Sequence, residues 1–254
     1  MDTIFAAHIL SHFYQRRKGF AILIDPDKVS EADLMRLTEL GHQYQASFFL
    51  VGGSLIGDLG IHSIVQRLKT LTKLPVILFP GSTHQLVESA DALLFLSLLS
   101  GRNPDYLIGK HVEIAPILHQ MELEVISTGY LLIDTGKLTT AHYMSNTLPI
   151  PYDKPEIAAY TALAGKYLGM QMIYLDGGSG AKNSISPEMV NSVYSICGLP
   201  LIVGGGIRSA REAIDIWESG ADFVVLGSSL EESPDASFLP ELAAYCEKPS
   251  IPLR

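Results

Sequence analysis

At 254 residues the chain has the length of one large domain or two small ones, and about 250 residues is the usual size of an α/β barrel. A formal net charge of −9 excludes a surface that coats nucleic acid and purely electrostatic attachment to anionic lipid, but leaves room for a local phosphate cradle. Cys197 and Cys246 have no metal-type spacing and read as free thiols; with no secretory pattern and no bilayer-length apolar run, a soluble cytoplasmic protein without a transmembrane segment is expected.

The elements follow in chain order. A first apolar run, FAILID (20–25), leads into Asp25-Pro26-Asp27-Lys28, and Ser30 three residues before Asp33 starts a helix. SFFLVGG (47–53) precedes Ser54, and PVILFPG (75–81) is the third run. Only STHQLVESAD (82–91) separates it from ALLFLSLLS (92–100), too short for a helix that covers the sheet. The loop SGRNP follows, in which Arg102 could pair with phosphate or belong to a plain surface turn. EVISTGYLLID (124–134) gives way to a long turn-rich segment, 135–153, and a helix beginning near Pro155. MQMIYLDGG (170–178) is followed by Ser186-Pro187-Glu188, an N-cap, a first-turn proline and an acid suited to the helix dipole. LPLIVGGG (199–206) runs into Ser209 and Glu212, a capping box, and ADFVVLGSS (221–229) is the eighth run.

Most of these runs are continuously apolar, as strands buried on both faces of a parallel sheet must be. Eight strands alternating with helices within one domain spanning 1–254 predict a (β/α)8 TIM barrel, thinned where the third helix is short or absent.

In such barrels chemistry gathers at the C-terminal strand ends, with phosphate held by the loops after strands seven and eight. Here those loops carry Gly204-Gly205-Gly206 and Gly227-Ser228. Bare amides for an anion and tight turn geometry are both consistent with the three glycines. Strand six ends in Tyr174-Leu175-Asp176-Gly177-Gly178-Ser179-Gly180, where alternation points Tyr174 and Asp176 to one side and Leu175 to the other. A carboxylate there can accept a hydroxyl proton, or cap its own turn. Asp25, beside the rim that carries Ser54, suits Mg²⁺, which takes few protein oxygens; the same Asp-Pro-Asp turn is also ordinary loop chemistry. His84, His111, His119 and His142 lack metal spacing and read as solvated or structural, and Trp217 reads as core.

FAILIDPDK, FLVGGS, FPGSTHQLVESADALLFLSLLSGRNPDYLIGKH, YLDGGSGA, VGGGIRS and VVLGSS, in this order, resemble the geranylgeranylglyceryl phosphate synthase family, which includes bacterial heptaprenylglyceryl phosphate synthases. SGRNP is similar to the subgroup shared by some archaea and Bacteroidetes-type bacteria. The resemblance implies a modified barrel, lacking the usual third helix, that joins sn-glycerol 1-phosphate to a polyprenyl diphosphate with Mg²⁺. It implies Mg²⁺ at Asp25 and Ser54, and glycerol phosphate at Tyr174, Leu175, Asp176, Gly177, Gly178, Ser179, Gly180, Gly204, Gly205, Gly206, Gly227 and Ser228. Asp25 and Asp176 are the expected catalytic pair, although the strand-six acid is often Glu in that family, one methylene longer. The resemblance further implies a homo-oligomer, dimer or hexamer, and transient membrane contact for a lipid product. The apolar tail is expected in the thin flank between strands three and four. Two other readings stand beside it. One is a phosphosugar isomerase using Asp25 and Asp134 as an acid/base pair, and the other is a non-catalytic barrel that binds a phosphorylated ligand.

Overall fold

The eight runs form β1 (Gly19–Ile24), β2 (Phe48–Val51), β3 (Val76–Leu78), β4 (Ala92–Leu98), β5 (Glu124–Leu132), β6 (Met172–Asp176), β7 (Leu201–Gly204) and β8 (Phe223–Leu226). They close in chain order into a parallel barrel in a computed structural model that describes residues 6–15, 18–53, 60–232 and 236–247. Closure comes from β1 pairing with β8, Gly19 opposite Phe223 through Ile22 opposite Leu226.

Strand alternation divides the apolar residues into two shells. Ala21, Leu50, Leu94, Tyr174 and Val225 fill the barrel, while Ile22, Val51, Leu175, Val203 and Leu226 pack outward under the helices. The runs look continuous in sequence because both shells are dry.

Local signals place the helices. Ser30 caps α2 (Glu31–Gln43) by accepting the Asp33 N–H, and Ser186 caps α7 (Pro187–Cys197) by accepting that of Met189, both as expected. Ser209 and Glu212 form the reciprocal capping box of α8 (Ala210–Glu218). Trp217 of α8 is fully buried and donates its indole N–H to Gly19 O at 3.1 Å. Among the described residues the remaining α-helices are α1 (Ala6–Tyr14), α3 (Gly60–Leu71), α4 (Lys110–Leu118), α5 (Thr140–Ser145), α6 (Pro155–Tyr167), α9 (Ser228–Glu232) and α10 (Leu239–Cys246).

Three features of this frame were not read from sequence. Helix α1 closes the N-terminal end of the barrel: Phe13 packs edge-on against Phe48 and Phe223, with ring centres 5.2 and 5.1 Å away. Asp105–Gly109 form a single π-helical turn ahead of α4. The segment 135–153 contains α5, and Ile133 bridges Ile150 to tie the segment to the end of β5.

The connection from β3 to β4 contains no helix, as its length demands, and covers the barrel with Leu86, Val87 and Ala90 instead. This thinner cover leaves Phe95, on the outer face of β4, only half-buried; Leu96, on the inner face, is half-buried as well.

Candidate active site

At the C-terminal end of the barrel, the loops after β1, β2, β6, β7 and β8 line one polar cleft. Of the residues expected at the site, Asp25, Tyr174, Asp176, Gly178, Ser179, Gly180, Gly205, Gly206, Gly227 and Ser228 line it. Leu175, Gly177 and Gly204 do not. Leu175 faces the outer shell because it alternates with Tyr174 and Asp176, and Gly177 gives its N–H to Gly204 O within the sheet. A Cβ on Gly204 would collide with the Tyr174 hydroxyl, so that glycine makes room for a ring rather than for a ligand. Ser54 lies outside the described residues.

Gly205 and Gly206 have φ of +87° and +76°, a backbone region that side chains disfavour. A Cβ on Gly205 would come within 2.9 Å of the Gly178 backbone, and one on Gly206 would strike the Asn183 carbonyl. Turn geometry, close approach of the β6 and β7 loops and a bare lining are thus one requirement. Arg208 locks the same two loops, its guanidinium donating to Ala181 O at 2.8 Å and Gly206 O at 3.2 Å.

Asp176 is the buried acid of the cleft. Gly178 N–H donates to its Oδ1 at 2.7 Å, and the Tyr130 hydroxyl of β5 donates to its Oδ2. Burial pushes its carboxyl above the ordinary range, while those two donors and nearby His142 pull it back down. Burial likewise raises Tyr130 and Tyr174, with the Asp176 charge acting in the same direction.

Asp25 stands in the same cleft just after β1, where Lys28 Nζ lies 2.7 Å from its Oδ2 and Asp27 N–H donates to its Oδ1 at 3.2 Å. The hydrogen bond to Asp25 raises the Lys28 ammonium above its usual value. A Cβ on Gly53 would lie 3.2 Å from Asp25 Oδ1, so this glycine keeps the carboxylate accessible.

Sequence reading missed Lys28, Lys137, Arg208 and Ser229 as cleft residues, and Tyr130 behind Asp176. Lys137 reaches over the β6 loop from the 135–153 segment, its Nζ 3.5 Å from Gly180 O. The Ser229 hydroxyl is buried without a partner among the described residues, a polar atom left for a ligand to satisfy. Arg102 stays an exposed turn residue with φ +53°, away from the cleft, whereas Asn103 Nδ2 donates to Ser145 O at 2.8 Å. Asp134 is exposed and accepts Gly136 N–H at 2.9 Å in its own turn; it does not line the cleft, so no acid/base pair with Asp25 is assembled there.

Of the four histidines considered above, His84 and His119 are exposed, and His111 and His142 are structural. His142 Nδ1 accepts Thr139 N–H at 3.1 Å to cap α5, and His111 packs edge-on against Phe95. Among the described residues no three His, Cys, Asp or Glu side chains gather to hold a metal.

A second, mainly apolar groove opens on the flank that lacks a helix. Phe79, Leu94, Phe95, Leu96, Leu98, Tyr106, Ile114, Tyr130, Leu132 and Met144 line it, with His111 and Lys110 at its α4 side. Phe79 and Gly53 border both the groove and the cleft, so the two meet. Phe79 stacks on Tyr174 at 5.0 Å and meets Tyr130 edge-on at 5.9 Å, which fixes this dividing wall.

The chain is similar in sequence and in fold to known proteins. A protein of Spirosoma linguale named geranylgeranylglyceryl phosphate synthase is 47% identical over 89% of this chain and 90% of its own length. One of Thermococcus gammatolerans with the same name is 40% identical over 86% of each. A structure of (S)-3-O-geranylgeranylglyceryl phosphate synthase from Thermoplasma acidophilum, in complex with its substrate sn-glycerol-1-phosphate, superposes with a TM-score of 0.88. It is 30% identical to this chain, over 97% of this chain and 99% of that one. The PcrB family model matches residues 12–244, which takes in all eight strands and both cavities, and the chain belongs to that family.

Proposed function

We propose that the chain joins sn-glycerol 1-phosphate to geranylgeranyl diphosphate, forming an ether bond at the C3 hydroxyl and releasing diphosphate. One observation carries the reading: a glycine-lined polar cleft with a buried carboxylate opens directly into an apolar groove. One substrate is small and anionic, the other is an apolar tail with an anionic head, and the wall of Phe79 and Tyr130 is where their reacting ends would meet.

The β7 and β8 loops are where a barrel of this type holds phosphate, and Gly205, Gly206, Gly227, Ser228 and Ser229 line the cleft there. Asp176 takes the C3 hydroxyl proton as its oxygen attacks the allylic C1, and the C1–O bond to diphosphate breaks as the new C–O bond forms. Lys28 is placed to offset charge on the departing diphosphate, and the enclosing walls keep both substrates in one orientation.

Asp25 fits Mg²⁺, because it is an accessible carboxylate at the junction and Mg²⁺ needs only one or two protein oxygens beside phosphate oxygens and water. When bound, Mg²⁺ would supply Lewis-acid neutralisation of the leaving group. Self-association belongs to the same reading: Ile157, Tyr160 and Tyr167 of α6 and its C-cap Leu168 are exposed apolar groups for contact between copies.

The test is incubation of sn-glycerol 1-phosphate with labelled farnesyl, geranylgeranyl and heptaprenyl diphosphate, followed by organic extraction. Label is expected in an extractable phosphoglyceryl ether, most from the geranylgeranyl donor. No extractable product from any donor would remove the proposal.

A further inference from the structure

We propose that Tyr130 is a positioning residue for this reaction, holding the Asp176 carboxylate in the orientation that accepts the attacking hydroxyl's proton. The inference rests on the activity proposed above. It begins from the pairing of β5 with β6, which sets Tyr130 opposite Tyr174 and Leu132 opposite Asp176. Tyr130 therefore reaches Asp176 diagonally across neighbouring strands, within range of a long side chain. Its hydroxyl donates to Oδ2 while Gly178 N–H holds Oδ1, so each carboxylate oxygen is fixed from a different element. With both oxygens held, rotation about the carboxyl bond would break one donor or the other.

The ring that delivers this hydroxyl is itself immobilised. It is 9% exposed, packs edge-on to Phe79 and is tilted against Tyr174 with ring centres 5.6 Å apart. Tyr130 also lines the apolar groove. Tyr130 thus touches the wall of one cavity and the acid of the other, which ties the direction of proton acceptance to the seat of the apolar substrate.

Asp176 depends on this support for its charge. It is buried, and the other titratable groups facing it are Tyr174 of β6 and His142 of α5, with Asp25, Asp27, Lys28, Lys137, Arg208 and Glu231 bordering the same cleft. A phenol that donates to a buried carboxylate stabilises the form able to accept a proton.

Tyr130→Phe keeps the ring, and hence the groove wall, while deleting the hydroxyl. The expected result is a kcat lower by roughly 10–100-fold, which is what losing a hydrogen bond to a charged group converts to. KM for both substrates should move less than about threefold, because no direct contact with either is removed. The acid limb of the kcat–pH profile should move to higher pH, since a carboxylate without its donor protonates more readily. In an Asp176→Asn background, Tyr130→Phe should add little further loss. A merely structural tyrosine would alter the melting temperature and leave the pH profile in place. A Tyr130→Phe enzyme with wild-type kcat and an unmoved acid limb would overturn the role while the wild type still makes product. A wild type that makes no product overturns the activity, and this role with it.

Discussion

Asp176 holds a carboxylate where burial opposes its charge, and its two donors come from a following loop and a neighbouring strand. A group whose folded pKa is raised contributes stability below its unfolded pKa, and that contribution disappears as pH rises through the folded pKa. Wherever Asp176 is ionised, its buried charge therefore costs stability that an amide would not. Asp176→Asn should melt no lower than the wild type at pH 7, with any advantage narrowing as pH falls toward the ordinary carboxylate range. Its kcat should nonetheless fall roughly 10²–10⁴-fold. A large drop in melting temperature at neutral pH that persists in acid would show the carboxylate to be a structural need. Asp25 is the contrasting case, accessible and paired with Lys28. Asp25→Asn should leave the circular dichroism unchanged and abolish turnover; near wild-type rates at saturating Mg²⁺ would refute the metal role. Both acids were legible in the sequence because each ends an apolar run. Tyr130 was not, because its partner is fixed by the register of β5 on β6, which nothing local in EVISTGYLLID encodes.

Helix α5 links the two cavities: Thr140 borders the cleft, and Ala141, Met144 and Ser145 border the groove. Its first turn depends on His142, whose Nδ1 accepts Thr139 N–H while the ring is buried at 2% exposure. His142→Ala should cost about 1–3 kcal/mol through loss of a cap and a buried ring, and amide exchange should quicken across 139–146. Unchanged exchange there would mean the capping box does not hold the helix. Burial lowers His142 and His111, so each contributes stability present above about pH 6.5 and lost as pH falls through its folded pKa. Ala141→Trp, by filling the groove from α5, should raise KM for the prenyl donor at least about tenfold and leave glycerol phosphate affinity alone. Equal weakening of both ligands would place them in one cavity. The missing helix between β3 and β4 was legible by counting residues between runs. Helix α5 was not, since six residues are too few to display a helical period.

Across the whole molecule, a net charge of −9 coexists with a cleft at one end of the barrel where Lys28, Lys137 and Arg208 stand among Asp25, Asp27, Asp176 and Glu231. Total charge thus said what the protein avoids, and the strand ends said what it gathers. That rim was legible because a parallel barrel puts every C-terminal strand end on the same side, so loops distant in sequence could be assigned to one site. The three glycines show where such reasoning stops: their place at the rim was readable, but only the packing of the β6 and β7 loops separates Gly204, set against Tyr174, from Gly205 and Gly206. On the proposed activity, a hydroxyl held in the cleft attacks carbon at the end of a tail held in the groove. Glycerol 1-phosphate carrying ¹⁸O at its C3 hydroxyl, turned over with geranylgeranyl diphosphate, tests it through mass spectrometry of both products. The label should remain in the ether bridge, with none in the released diphosphate; label in the diphosphate, or a product lacking it, would contradict attack of that oxygen on the allylic carbon.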